Sequence, residues 1–333
     1  MAEDSFVVIT SIFEPNEAVR KWAKLYPDKT VVIGDLKSPP RYSCIGVRYI
    51  SPTAQKKYAP SLSKVLPWNH YSRKMMGYIY AVKNGARYII DTDDDNIPIK
   101  KWQFTDNNLE KIKDNLGFKN IHSYLSSNSD LWPRGYPLQR LNLRSSRVTR
   151  NNIDKSVVDA KIGIYQGMVL GEPDIDAIHR LTNKIENISY IEKSVIYGKG
   201  TISPFNSQNT VFIRELAPLL YLPSTTTFRA TDIVRSYVAQ PIIWNLGYNL
   251  CFCSPNVKQV RNIHNYISDF ESEIPIYLHA EKFFNISARS VKKNKSIAEN
   301  MLNIYASLAD EKLVDKRELP ILSAWLDEIY KVL

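Results

Sequence analysis

Between Tyr88 and Ile99 the chain reads Tyr-Ile-Ile-Asp-Thr-Asp-Asp-Asp-Asn-Ile-Pro-Ile, an apolar run that turns into four carboxylates within five residues: Asp91, Asp93, Asp94 and Asp95. Such a run reads as a buried strand, and its acidic end marks where that strand meets solvent. Carboxylates this close repel one another unless a cation lies among them, and a divalent metal is the natural occupant. A fold that accepts the segment must bring one end of a core strand to the floor of an open site.

The residues before it alternate strand and helix signals. Residues 6–12 are a β-branched and aromatic run, 17–25 a helix after a Pro-Asn turn, 30–34 a second strand and 48–51 a third. Residues 69–84 carry Met75, Met76, Ile79, Tyr80 and Val82 at helical spacing before Gly85 stops the helix. This β-α-β-β-α-β order predicts an α/β fold with a mainly parallel central sheet flanked by helices, and ligands beyond the carboxyl ends of the strands. Residues 100–152 are irregular and polar around Trp132-Pro-Arg-Gly-Tyr-Pro, a length of loop that is usually functional. Further elements are expected at 161–171, 174–182, 211–213 and 231–246, the last capped by Thr231 and Asp232. Helices at 296–309 and 319–332 close the chain. No repeat or linker interrupts it, so one domain over 1–290 with a helical extension over 291–333 is expected.

The formal charge of +10, from 44 basic and 34 acidic residues, favours polyanionic partners. No apolar stretch reaches the roughly 20 residues that span a bilayer, and Met-Ala-Glu-Asp-Ser lacks the flank of a secretion signal. A soluble, unexported, cytoplasmic chain is expected, without a membrane anchor at its N-terminus. Cys44, Cys251 and Cys253 read as reduced thiols.

Four readings compete for the acidic cluster. A calcium loop needs glycine at its sixth position and glutamate at its twelfth, where this chain has Asn96 and Trp102. A solvated acidic turn seldom follows directly on a buried strand. A two-metal nuclease or polymerase site would need a second acidic pair at another strand end, which is not found, so nucleic acid is not the expected partner. The remaining reading is an Asp-x-Asp element, Asp91 and Asp93, whose alternation puts both carboxylates on one side of an extended backbone. The pair can hold Mg²⁺ or Mn²⁺ against the diphosphate of a sugar nucleotide, the metal neutralising the leaving group. The first glycine is Gly34, so no Gly-rich phosphate loop follows the first strand. Phosphate must then be met by metal and by basic side chains, for which Arg73 and Lys74 are the candidates, unless they form a solvated helix face.

The motifs Asn69-His-Tyr-Ser-Arg-Lys-Met-Met-Gly-Tyr, Gly85-Ala with Ile90-Asp-Thr-Asp-Asp, Trp132-Pro-Arg-Gly-Tyr-Pro-Leu, Gln166-Gly, Pro173-Asp-Ile-Asp, Phe205-Asn-Ser-Gln-Asn-Thr and Arg229-Ala-Thr-Asp-Ile-Val-Arg-Ser-Tyr-Val-Ala-Gln occur in that order. Together they resemble the STELLO-type glycosyltransferases over residues 6–290. The resemblance implies a GT-A-like fold, a nucleotide-sugar donor and a divalent metal, with a looser similarity to reversibly glycosylated polypeptides and sugar-nucleotide mutases. Residues 1–99 would then be the nucleotide-binding half and 100–290 the acceptor half. The chain departs from the family in carrying Asp95-Asn96 where a less acidic pair is expected.

On that frame, Thr10 and Asp35 are expected at the base and ribose, although Asp35 reads equally as a turn residue. Arg73 and Lys74 face the diphosphate; Asp91 and Asp93 serve the ribose and metal. His264 is the candidate third ligand, against the alternative of a structural histidine. Trp132, Arg134, Asn206, Gln208 and Arg229 are the candidate acceptor set, with Trp132 reading equally as core packing. Asp232 is the candidate general base, against the alternative of a helix cap. The expected partners are a uridine-diphosphate sugar and a glycan or lipid-linked glycan. Arg289, Lys292, Lys293 and Lys295 read as a solvated helix end or as a contact for anionic lipid at the inner face of a membrane. A nucleotide-sugar mutase and a non-catalytic scaffold are the alternatives to a glycosyltransferase.

Overall fold

The computed structural model describes residues 4–104, 109–154, 160–185, 188–260 and 265–333. Its nucleus is β1 (Ser5–Thr10), whose side chains alternate between two apolar layers. Phe6 and Val8 join one core cluster, Val7 and Ile9 the other. A strand buried on both faces needs apolar residues at every position, which is why no period-2 polarity marks it. β2 (Thr30–Ile33) and β4 (Tyr88–Thr92) pair with it in parallel, and β3 (Val47–Ile50) pairs in parallel with β2, in the order β3-β2-β1-β4.

The helices between these strands cover opposite faces. In α1 (Glu17–Leu25), capped by Asn16, Val19 and Trp22 pack with Val7, Ile9 and Val32. α2 (Pro52–Tyr58) and α3 (Pro60–Val65) each begin with proline, which presets the first turn, and were not among the expected elements. One 3₁₀ turn over Tyr71–Lys74 leads into α4 (Met75–Lys83), whose Met75, Met76, Ile79 and Val82 pack with Phe6, Val8 and Ile33. Gly77 lets α4 come close: a Cβ there would overlap Val8 Cγ1 and lie 3.0 Å from Ile33 Cγ1.

Beyond β4 the expected, mainly parallel sheet becomes mixed, because no crossover helix follows that strand. Its neighbour is β12 (Asn209–Ile213), antiparallel to β4 and to β9 (Ile162–Gly171). β13 (Asn249–Gln259) is parallel to β9, and antiparallel to β10 (Ser194–Tyr197) and to the short β5 (Asn96–Pro98). β6 (Leu109–Ile112) and β8 (Ile153–Asp154) end the sheet, while β7 (Gly117–Phe118) and β11 (Thr201–Ile202) pair apart. The stretch expected to be irregular carries β6 and β7, the short helix α5 (His122–Leu125) and three 3₁₀ turns over 138–140, 144–146 and 150–152, and α6 (Ala177–Thr182), N-capped by Asp176, follows β9.

Four helices finish the chain: α7 (Thr231–Asn245), α8 (Tyr266–Ser290), α9 (Ile297–Asp310) and α10 (Glu318–Tyr330). α8 contains Pro275 and was not expected from periodicity. The helices of residues 291–333 pack on the rest of the chain: Met301, Ile304, Tyr305, Leu322 and Trp325 belong to the same apolar cluster as α4. The Trp325 indole donates to Pro218 O at 2.8 Å, and the buried Glu318 carboxylate accepts from Ser224 N at 2.9 Å and Thr225 N at 2.8 Å. In the basic group near α9, Arg289 pairs with Glu311 at 3.3 Å and Lys295 with Glu299 at 2.6 Å. No disulfide joins the three cysteines, and no helix among the described residues is long and apolar enough to cross a membrane. The whole is an α/β domain consistent with the GT-A-like architecture that the resemblance implies.

Because Gly77 sets the spacing of α4 and β1, Gly77→Ala is expected to lower the unfolding free energy by about 1–3 kcal/mol through overpacking. Urea denaturation measures this; an unchanged midpoint would mean that the helix can back away at no cost.

Candidate active site

Asp91 lies inside the sheet, paired in register with Val8 of β1 and Thr210 of β12. Its side chain is 0% exposed, with the Lys74 ammonium 2.7 Å from Oδ1 and the Arg235 guanidinium 2.9 Å from Oδ2. Lys74 is itself buried, and also lies 2.9 Å from Asp93 Oδ1, to which the Tyr71 hydroxyl donates at 2.7 Å. Burial alone would depress the Lys74 pKa, but Asp91 and Asp93 hold it above its usual value. Two assignments are thereby corrected. Asp91 is a core anion neutralised by two buried cations, and Lys74 is one of those cations and does not face a diphosphate.

The strand runs one residue past its first carboxylate, to Thr92, so the acidic residues that reach solvent are Asp93, Asp94 and Asp95. Burial raises the pKa of both Asp93 and Asp94. Asp94 accepts from the Ser11 hydroxyl, and its carbonyl accepts from Asn16 Nδ2 at 2.6 Å. Asp95 Oδ2 accepts from Gln259 Nε2 at 2.7 Å, while its Oδ1 is buried with no hydrogen-bond partner. Burial, then the charge of Asp93, pushes the Asp95 carboxyl up to about 7.

These three carboxylates floor a cleft of about 360 Å³, walled by the ends of β1 and β2, the turn before α4 and the start of α7. Thr10, Asp35, Arg73, Asp93, Arg134, Gln208, Arg229 and Asp232, drawn from both halves of the chain, all line it. Its mouth is apolar, with Phe13 53% and Phe228 62% exposed. Asp35 is held by Leu36 N at 2.7 Å and His70 N at 3.2 Å. Arg73 only borders the space: its guanidinium donates to Pro67 O, Ser63 O and Leu66 O and lies 3.4 Å from the Trp68 ring centre, fixing the loop after α3. Trp132 is not a cleft residue either, for its indole donates to Asp176 and packs edge-on against His179. Asn206 accepts from Gln208 N at 2.9 Å and borders a separate 30 Å³ cavity. His264 lies outside the described residues.

The acceptor-half wall is an ionic lattice. Gly135, at φ +84°, turns the chain beside Arg134; a Cβ there would overlap Ile233 Cγ2. Arg134 forks between Asp174, at 2.6 Å, and both oxygens of Asp232, at 3.0 Å. Asp232 also accepts from Ser207 N at 3.0 Å, and the cap position of α7 is Ala230, so Asp232 is no helix cap. Arg229 lies 2.6 Å from the buried Glu273. Asp174, Arg235, Ser11, Tyr71 and Gln259 were not among the predicted site residues. Four of them carried a signal: Asp174, Tyr71 and Arg235 stand within ordered motifs and Ser11 at a strand end. Gln259 carried none, because the strand bearing it was not foreseen.

Lys74→Met would leave Asp91 and Asp93 short of a cation and is expected to lower stability by about 3–5 kcal/mol. Adding Asp91→Asn to that variant should restore part of the loss. Equal melting temperatures for the single and double variants would contradict the shared ion pair.

A family model described as STELLO glycosyltransferases matches residues 229–333, the stretch from Arg229 through α10. The probable glycosyltransferases STELLO1 and STELLO2 of Arabidopsis thaliana are 25% identical over 356 residues and 24% identical over 349 residues, each alignment covering 99% of this chain. The chain spans 44% and 45% of the lengths of those relatives. The chain is thus similar to the STELLO-type glycosyltransferases over nearly its whole length.

Proposed function

We propose that the chain is a metal-dependent glycosyltransferase that moves a sugar from a nucleoside-diphosphate sugar, a uridine-diphosphate sugar foremost, to a hydroxyl of a glycan or lipid-linked glycan. The observation that carries this reading is the pair Asp93 and Asp95 on the cleft floor, with Asp95 Oδ1 buried and unpartnered. A desolvated carboxylate oxygen without a donor is a poor resting state and a good cation ligand. Among the described residues no three His, Cys, Asp or Glu side chains converge on one point. Mn²⁺ or Mg²⁺ would therefore be held by two carboxylates, which leaves positions open to diphosphate oxygens and water. When bound, the metal would neutralise charge on the leaving diphosphate.

The charge balance of the cleft supports the same reading. Its lining has six carboxylates (Asp35, Asp93, Asp94, Asp95, Asp174, Asp232) against four cations (Lys37, Arg73, Arg134, Arg229), in a chain of net charge +10. A diphosphate entering alone meets net repulsion; one entering with a divalent cation does not. Thr10 and Asp35 are assigned to the base and ribose. Asp35 accepts one donor at each oxygen and keeps acceptor capacity for ribose hydroxyls. Arg134, Gln208 and Arg229 are assigned to the acceptor, and Asp232, oriented by Arg134 and Ser207 N, to accepting its proton.

Thermal-shift measurement with nucleoside diphosphates and their sugars is expected to give stabilisation by one nucleotide series only when Mn²⁺ is present. Asp93→Asn and Asp95→Asn should each abolish that dependence. Flat curves in every combination would overturn the reading.

The pH dependence has a defined sign. A carboxyl whose pKa is raised on folding binds its proton more tightly in the folded chain. The contribution of Asp95 is thus fully present below the ordinary carboxyl range, near about 4, and is lost as pH rises through about 7. In chelator the melting temperature should fall across that window, and Asp95→Asn should flatten the fall. A profile identical in wild type and variant would remove Asp95 as its source.

A further inference from the structure

A diphosphate entering this cleft with its metal would still need a cation from the protein, yet nearly all of the cleft's cations are already engaged. Arg73 donates to the carbonyls of the loop after α3, Arg134 is forked between Asp174 and Asp232, and Arg229 is paired with Glu273. Lys74 lies beneath the floor between two carboxylates. Lys37 differs from all of these. Its exposed side chain lines the same cleft, and it has no hydrogen-bond or ion-pair partner among the described residues.

Its backbone, in contrast, is held. Ser38 N donates to Asp35 O at 2.9 Å, closing a four-residue turn in which Lys37 is the third residue. The Ser38 hydroxyl accepts from Asp35 N at 2.7 Å and donates to Ser11 O at 2.6 Å. The Ser11 hydroxyl in turn donates to Asp94. The turn that carries Lys37 is thereby tied to the acidic floor, and only the side chain remains to be ordered by a ligand. An ammonium is a compact point charge with three donors, suited to oxygens whose exact placement varies.

We propose that Lys37 is the positioning cation for the donor's diphosphate, reaching from the turn after β2 to oxygens that a metal on Asp93 and Asp95 leaves uncovered. This rests on the glycosyltransferase reading and adds the protein's own phosphate contact to it. The role expected of Arg73 and Lys74 falls to a residue outside their helix.

The test is calorimetric titration of wild type, Lys37→Met and Lys37→Arg with uridine diphosphate and with uridine, in Mn²⁺. Lys37→Met should weaken uridine diphosphate by about tenfold or more, leave uridine binding and the melting temperature unchanged, and be largely rescued by Lys37→Arg. Unaltered uridine diphosphate affinity in Lys37→Met, beside normal binding by wild type, overturns the assignment and leaves the donor reading standing. Equal weakening of uridine and uridine diphosphate also overturns it, since Lys37 would then act on the base or on the fold. Wild type that binds neither uridine diphosphate nor any other nucleoside diphosphate with Mn²⁺ overturns both readings.

Discussion

The ion triad of Lys74, Asp91 and Arg235 joins parts of the chain that are otherwise far apart. Lys74 precedes α4, Asp91 belongs to β4 and Arg235 to α7, and the three charged groups meet in a space closed to water. Desolvating three charges is costly, so the triad is weak evidence for net stability. Its value lies in geometry: an unpaired charge there would be costlier still, so β4, α4 and α7 can pack only in the arrangement that pairs them. The same helix α7 carries Asp232 one turn earlier, and Arg235 also donates to the Ser207 hydroxyl at 2.9 Å. Both walls of the cleft are thus positioned from one buried anion.

Much of the first half was legible. The helix over 17–25 and the strands around 6–10, 30–33 and 88–92 follow directly from apolar runs and capping residues, because local pattern and burial agree there. The later sheet was less legible: β9 falls on the element expected at 161–171, but β13 was not foreseen, and both lie between other strands and are paired with partners distant in sequence. α8 was obscured by Pro275, and α2 and α3 by prolines that begin helices as readily as they end them.

At the cleft, the structure places the acidic segment on the floor in a register other than the one expected, with Asp91 inside the sheet and Asp93, Asp94 and Asp95 lining the space. Asp91, Asp93 and Asp95 are equivalent by strand period, and only the pairing of Asp91 with Val8 and Thr210 shows that it stays inside. Arg73 and Lys74 were assigned by charge and proximity, yet charge says nothing about whether a cation's donors are already taken. Arg134 and Asp232 were recognised as chemically rich without any sign that they bond to each other. A long-range salt bridge has no local signature, and this cleft is built largely of them.

Asp93 connects the two regimes. One of its oxygens is shared with Lys74, which is buried in the core, and with Tyr71, which lines the cleft, while its side chain is 32% exposed at the cleft floor beside Asp95. On the proposed metal reading, a cation at the floor would share that carboxylate with Lys74, an ammonium whose departure would leave Asp91 with Arg235 alone. Its affinity would then be set by the packing beneath the floor as well as by the carboxylates in view. A substitution that loosens α4 against β1 shifts the balance of charge at Asp93 without touching the cleft.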